Sequence, residues 1–365
     1  MKTIDIIAGA RPNFMKIAPI IKALQNDDKG VDHISFRLVH TGQHYDARMS
    51  EDFFLQLGIP KPHKNLEVGS GTQAEQTAAI LTSYEKLLIN ERTDLCLVVG
   101  DVTSTMACAI TAKKLGVLVA HVEAGIRSGD WSMPEEINRV VTDSISNYFF
   151  TTSETANKTL LKTGVEQNRI FFVGNTMIDS LLANMDRFRA PTFWTKHNLR
   201  TGQYFVVTLH RPSNVDELDG FAKLLQSIGQ STRGMPVIFP VHPRTAKTLS
   251  EVDLVPDSIL IVEPQPYLEF NYLVKNAKAV ITDSGGITEE ATVMGIPCMT
   301  LRDSTERPET VTIGTNELLG TEPNALIPAM DKLFSGNWNR GSIPPKWDGE
   351  TGKRIVKHLH NILNI

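Results

Sequence analysis

Ala279-Val280-Ile281-Thr282-Asp283-Ser284-Gly285-Gly286-Ile287-Thr288-Glu289-Glu290 decides the architecture of this chain. Four mostly apolar residues stop at a polar turn with two glycines, and a helix-length stretch follows. A strand that ends in such a turn and opens a helix is one step of a parallel α/β sheet. The Ser-Gly-Gly turn also lets free backbone N–H groups approach an anion closely, helped by the helix dipole and the Ser284 hydroxyl. A plain glycine-containing turn would look the same if it stood alone.

It does not stand alone. Strand-like runs at Tyr204–Leu209, Val237–Val241, Ile259–Val262 and Pro297–Leu301 surround it. A first series lies upstream: Thr3–Ala8, Phe36–Thr41, Leu95–Val99, Val117–Val122, Tyr148–Thr151 and Ile170–Val173. Several are apolar on both faces, as strands covered by helices on both sides are. Helix-length segments such as 13–25, 73–90, 104–115 and 134–146 alternate with them. The 365 residues, at roughly 150 per domain, make two domains. The expected fold class is α/β, with two Rossmann-like domains facing a cleft. Residues 1–186 form the first domain, 187–202 a linker marked by Pro191 and Gly202, and 203–350 the second. A C-terminal helix within 351–365 is placed to pack back across the boundary.

A composition of 41% hydrophobic and 21% charged residues with a net charge of −4 gives neither a nucleic-acid footprint nor a polybasic membrane patch. No apolar run approaches the ~20 residues of a membrane span, and the first strand, broken by Asp5, is not a signal-peptide core. Cys96, Cys108 and Cys298 stand singly, which argues for a reducing, cytoplasmic setting. His40 and His44 flank a turn without a helical spacing or a cysteine cluster, and Gly69-Ser70-Gly71 follows no strand. Neither a metal nor a bound NAD is expected, and the cofactor expectation is none.

In open parallel sheets ligands gather beyond the carboxyl ends of the strands. In the first half those ends carry Arg11 and Lys16, then Asp101, then Glu123, with Glu135 in the first turn of a helix opened by Pro134. Alone, Asp101 reads equally well as a helix cap and Glu135 as a dipole-complementing acid. Three carboxylates along one sheet edge point to acid/base chemistry, with mutual repulsion expected to raise at least one pKa. In the second half two strands end in His210-Arg211 and His242-Pro243-Arg244, which suggests an anion site, and Glu290 is spaced to accept hydrogen bonds from ribose hydroxyls.

These stretches resemble the non-hydrolysing UDP-N-acetylglucosamine 2-epimerases, a family with the two-domain GT-B fold. The resemblance rests on nine motifs in order: residues 9–16, 40–46, 100–105, 121–130, 134–139, 174–179, 210–214, 282–291 and 305–309, over essentially the whole chain. It implies Arg11, His210, Ser284, Gly285 and Gly286 around a diphosphate, Glu290 on the ribose, Tyr267 and Phe270 near the uracil, and Arg307 with the substrate. It implies Lys16, Asp101, Glu123 and Glu135, with His210, as the catalytic set, and a homodimer. In many bacterial members a second UDP-N-acetylglucosamine binds beside the first. Gln43, Glu136, Arg211 and His242 match that pattern, whereas Asp46 and Ser70-Gly71 depart from it, so substrate activation is not expected.

The resemblance implies inversion at C2 of UDP-N-acetylglucosamine, as part of polysaccharide biosynthesis. Because the C2 hydrogen of a saturated sugar is barely acidic, the expected route is loss of UDP from C1 to give 2-acetamidoglucal, then re-addition. The alternatives are an epimerase of a related UDP-diacetamido-glucuronate, a GT-B glycosyltransferase using the same UDP site, a hydrolysing relative, and a non-enzymatic sensor. The only partner expected is the UDP-sugar, with neither nucleic acid nor membrane.

Overall fold

The computed structural model describes residues 2–27, 33–42 and 58–365. The chain divides into two compact units, Met1–Leu182 with Pro345–Ile365, and Ala183–Pro344.

The first unit is built on a seven-stranded parallel sheet in the order β3-β2-β1-β4-β5-β6-β7. Its strands are β1 (Lys2–Ala8), β2 (Ile34–His40), β3 (Lys64–Asn65), β4 (Leu95–Val99), β5 (Leu118–Val122), β6 (Tyr148–Thr151) and β7 (Ile170–Phe172). β4 is buried from end to end, as a central strand covered on both faces must be. The helix Thr103–Lys114 is buried almost all round, at Thr103, Ser104, Thr105, Ala107, Cys108, Ala109, Thr111 and Ala112. Its small side chains let it lie against β4 between the helices Gln73–Asn90 and Pro134–Ile145.

The helix Arg11–Gln25 contains Pro19, which cannot donate to the Met15 carbonyl. The Ser180 hydroxyl donates to that carbonyl instead, at 2.5 Å. The C-terminal helix Thr351–Leu363 crosses the same place: a Cβ on Gly352 would lie 2.5 Å from the Pro19 carbonyl oxygen, so only glycine permits this approach. The Gly352 N–H donates to Asp179 at 2.8 Å, and the buried Trp347 indole donates to the Thr152 carbonyl at 3.1 Å. Inside the sheet, Asp5 accepts two bonds from Arg37 at 2.8 Å and one from Tyr84 at 2.9 Å. Burial pushes the Asp5 carboxyl above its ordinary range despite these donors.

The second unit has a six-stranded parallel sheet in the order β10-β9-β8-β11-β12-β13. Its strands are β8 (Phe205–Thr208), β9 (Val237–Pro240), β10 (Ile259–Val262), β11 (Ala279–Thr282), β12 (Cys298–Thr300) and β13 (Asn316–Leu318). Residues 187–202 include the short helix Phe193–Lys196, whose Trp194 ring meets Tyr204 and Tyr272 edge-on at 5.4 and 5.1 Å.

Both sheets therefore follow one rule. In each, the strand order reverses beside the first strand, between β1 and β4 and between β8 and β11. The carboxyl ends on either side of a reversal leave a crevice where two chains turn away in opposite directions, the usual ligand position of a Rossmann sheet. The turns at these reversals carry Arg11, Asp101, His210 and Ser284, and the neighbouring strands β5 and β9 run out into Glu123 and His242.

Candidate active site

At the first unit's reversal, Asn13 ties two turns together. Its side-chain oxygen accepts from the N–H of Gly9 and Ala10 at 3.2 and 3.0 Å, and its amide donates to the Val99 carbonyl at 3.0 Å. One turn later on the same helix, Lys16 reaches Glu123 at the end of β5, with 2.7 Å between Nζ and Oε2. Glu123 holds a left-handed backbone, φ 68°, uncommon for a residue with a side chain. Strain of this kind costs about 1–3 kcal/mol and persists only where the surrounding structure over-determines it. Gly100 makes room for the pair: its φ is 70°, and a Cβ there would sit 3.0 Å from Lys16 Nζ.

Asp101 follows directly. Its Oδ2 accepts from Arg139 at 2.6 and 3.0 Å, and its backbone carbonyl accepts from Asn138 at 2.8 Å. Both partners come from the helix Pro134–Ile145, whose first turn carries Glu135 and Glu136. Asp101 and Glu123 are thus each paired with a cation, Arg139 (shared with Glu136) and Lys16, where the sequence suggested carboxylates pressing on one another.

Glu136 is occupied. It accepts from the N–H of Ser128 and Gly129 at 2.9 and 3.0 Å, from the Ser128 hydroxyl at 3.1 Å and from Arg139 at 2.8 Å. Burial alone would raise its carboxyl, but these donors outweigh it and hold the group below its ordinary range. Glu136 therefore braces the 128–129 loop. Gln43 and the side chain of Arg11 lie outside the described residues.

At the second unit's reversal the organiser is Asp283, fully buried at the end of β11. Its carboxylate accepts from the backbone N–H of His210 (3.0 Å) and Arg211 (2.9 Å) and from the Asn214 amide (3.1 Å), and lies 2.8 Å from His210 Nδ1. Burial opposes ionisation here too, yet His210 and the two backbone donors keep Asp283 below the usual carboxylate range. With Nδ1 turned to Asp283, the other nitrogen of the half-exposed His210 ring is the one available outward. Arg211 bends back, donating from Nε to the Asp283 carbonyl at 3.1 Å.

The helix Gly285–Met294 opens with Ser284 in the cap position, and no side chain caps it. Its first N–H groups therefore have the exposed, anion-seeking character of an uncapped helix start. Glu290, on the same helix, is buried and accepts from the Tyr267 hydroxyl at 3.1 Å, so the structure brings two predicted nucleotide residues together. Burial, reinforced by the neighbouring Glu289 charge, pushes Glu290 up to about 7 against the pull of Tyr267. Phe270 packs partly into the core beside Leu273 and Val274. Arg307 is paired with Glu289, and His242 is exposed just after β9. Among the described residues no group of three or more His, Cys, Asp or Glu is placed to hold a metal ion.

Asn13, Arg139, Asp283 and Asn214 were not singled out from the sequence, although all lie inside or beside the motifs. Their signal was the turn-forming strand ends themselves, where side chains must satisfy exposed backbone groups.

The family model described as UDP-N-acetylglucosamine 2-epimerase matches residues 25–360. The chain is 42% identical to the UDP-N-acetylglucosamine 2-epimerase of Methanocaldococcus jannaschii, over 98% of each chain. It is 38% identical to the UDP-2,3-diacetamido-2,3-dideoxy-D-glucuronate 2-epimerase of Pseudomonas aeruginosa, over 98% of this chain and 99% of that one. Among solved structures, the Methanocaldococcus jannaschii UDP-GlcNAc 2-epimerase in complex with UDP-GlcNAc and UDP superposes with a TM-score of 0.87 at 42% identity, covering 98% of this chain and 99% of that chain. The fold is the α/β, two-Rossmann GT-B type of these neighbours. With a family model spanning most of its length and relatives aligned almost end to end, the chain belongs to the UDP-N-acetylglucosamine 2-epimerase family.

Proposed function

We propose that this protein interconverts UDP-N-acetylglucosamine and UDP-N-acetylmannosamine by elimination and re-addition of UDP. The observation that carries the reading is the division of chemistry between the two reversal points. One offers carboxylates paired with cations, and the other an uncapped glycine turn beside His210.

A carboxylate removes the C2 proton, the electrons of the C2–H bond form a C1=C2 double bond, and the C1–O bond breaks with its electron pair leaving on UDP as the anion. Negative charge then grows on the diphosphate. The Ser284–Gly286 turn, His210 and Arg11 are suited to stabilise it, since preorganised donors act most strongly where charge develops. Re-protonation from the opposite face, with return of UDP to C1, completes inversion. Asp101, Glu123 and Glu135 supply the acid and base groups, with Lys16 and Arg139 fixing two of them. Glu290 and Tyr267 hold the ribose and uracil end, and Phe270 lines it. Arg307 acts through Glu289, next to Glu290.

The three cysteines are free and buried, which supports a reducing, cytoplasmic location. A homodimer is supported by the resemblance and is checked by light scattering of the purified protein.

A proton NMR time course in D₂O with UDP-N-acetylglucosamine alone tests the reading. Deuterium should enter C2 as the manno epimer grows, without net release of UDP. Protium retained at C2, or consumption that waits for an added acceptor, would point to a glycosyltransferase instead. Running UDP-2,3-diacetamido-2,3-dideoxy-D-glucuronate in parallel separates the two sugar classes.

A further inference from the structure

We propose that His121 and Asp143 are positioning residues, a buried imidazolium–carboxylate pair that holds the Asp101 and Glu123 turns in register. The inference rests on the reading that those two carboxylates do the chemistry.

His121 lies on β5, with no exposure to solvent. Its Nδ1 is 2.7 Å from Asp143 Oδ1 and its Nε2 is 2.8 Å from the Gly100 carbonyl oxygen. A carbonyl oxygen only accepts hydrogen bonds. The second oxygen of Asp143 faces the Arg127 guanidinium at 2.7 Å and the Gly125 N–H at 3.0 Å, both of which favour the carboxylate. Burial opposes its charge, but His121 and Arg127 outweigh that and hold the carboxyl below its ordinary range. Facing that carboxylate and a carbonyl oxygen, the two ring nitrogens both meet acceptors, an arrangement that calls for a proton on each.

The charged groups at this ring are Asp143 and, on its second oxygen, Arg127 at 2.7 Å. The strand neighbours level with His121, Val98 and Phe149, are apolar.

Each contact of the pair ends on a turn that matters. Gly100, whose carbonyl accepts from Nε2, immediately precedes Asp101. Asp143 Oδ2 accepts from the Gly125 N–H at 3.0 Å, closing the turn that begins with the strained Glu123. Asp143 also belongs to the helix Pro134–Ile145, which carries Glu135 and the Arg139 that grips Asp101. Removing either ring proton would set a lone pair against an oxygen at hydrogen-bond distance, and one of the turns would have to move. Displacements near 1 Å at reacting groups cost on the order of 10²-fold in rate.

The test uses the full-length protein with ¹⁵N-labelled histidine, and the variants Asp143→Asn and His121→Gln. At the assay pH the wild type should show one histidine with both ring nitrogens protonated, a signal missing from His121→Gln. Asp143→Asn keeps the shape and should convert that ring to a neutral form. Its kcat should fall by roughly 10²-fold, with KM and UDP affinity within about twofold, because the UDP contacts other than Arg11 are assigned to the other unit. A fold defect alone would move all of these together, and Asp143→Asn remains informative if His121→Gln does not fold. A singly protonated His121 in fully active enzyme, or wild-type turnover in Asp143→Asn, would overturn the proposal. Asp101→Asn and Glu123→Gln run alongside: full activity in both would remove the catalytic reading while leaving the protonation result to judge the clamp.

Discussion

The buried carboxyl of Glu290 makes nucleotide affinity depend on pH in a way that can be worked out beforehand. Ribose hydroxyls donate to a carboxylate, so binding draws on the ionised form, and burial holds this group at about 7. The apparent affinity then scales with the ionised fraction, roughly a tenth at pH 6 and nine tenths at pH 8, which is about a tenfold loss on acidification. The β-methyl ester of UDP is the suitable ligand, because its diphosphate does not titrate in this interval. Calorimetry across the range should show that tenfold change in the ratio of wild-type to Glu290→Gln affinity, which isolates this titration from that of other groups at the ligand. The same group sets a stability trend of known sign. Its folded pKa lies above the ordinary 4.5, so the folded state prefers the proton. The penalty is absent below 4.5, grows as pH rises through the interval, and is complete above about 7. Glu290→Gln should therefore stabilise the unliganded protein above neutrality by up to roughly 3 kcal/mol, and by little near pH 4.5. A wild-type affinity that ignores pH, or a Gln variant with the same slope, would show that Glu290 is not the group whose ionisation the nucleotide draws on.

Asp101→Asn should bind UDP normally in equilibrium titration and lose about 10²-fold or more in turnover; near-native turnover would take Asp101 out of the catalytic set. Gly100→Val places a side chain on a backbone of φ 70° with its Cβ 3.0 Å from Lys16 Nζ, so steady-state kinetics should show a lower kcat with UDP inhibition unchanged. Arg37→Met leaves buried Asp5 with Tyr84 but without its guanidinium. Urea unfolding should read a loss of about 3–5 kcal/mol, most of it recovered by adding Asp5→Val.

The strands that build each sheet were readable because they are apolar on both faces and end at glycine or polar turns. β3 and β13 were not, since Lys64–Asn65 and Asn316–Leu318 are short edge pieces without an apolar run. The helix expected from Asn13 starts two residues earlier, at Arg11, with Pro12 in the first turn, where its missing N–H costs nothing. Site residues that follow strands were visible for the same reason that the strands were. Their partners were not. Lys16 meets Glu123 across 107 residues and Arg139 meets Asp101 across 38, and no local pattern encodes such pairings. Asp283 lies inside the most telling motif, but nothing in its sequence position says which way it faces. Only the fold shows it facing inward to hold His210 and Arg211.

The central claim is that UDP detaches from C1 and returns. UDP-N-acetylglucosamine labelled with ¹⁸O in the C1–O–P bridge tests it directly. Over many turnovers the label should spread from the bridge to the non-bridging oxygens of the β-phosphate, followed by ³¹P NMR isotope shifts. Deuterium entering C2 from solvent while every label stays in the bridge would contradict it.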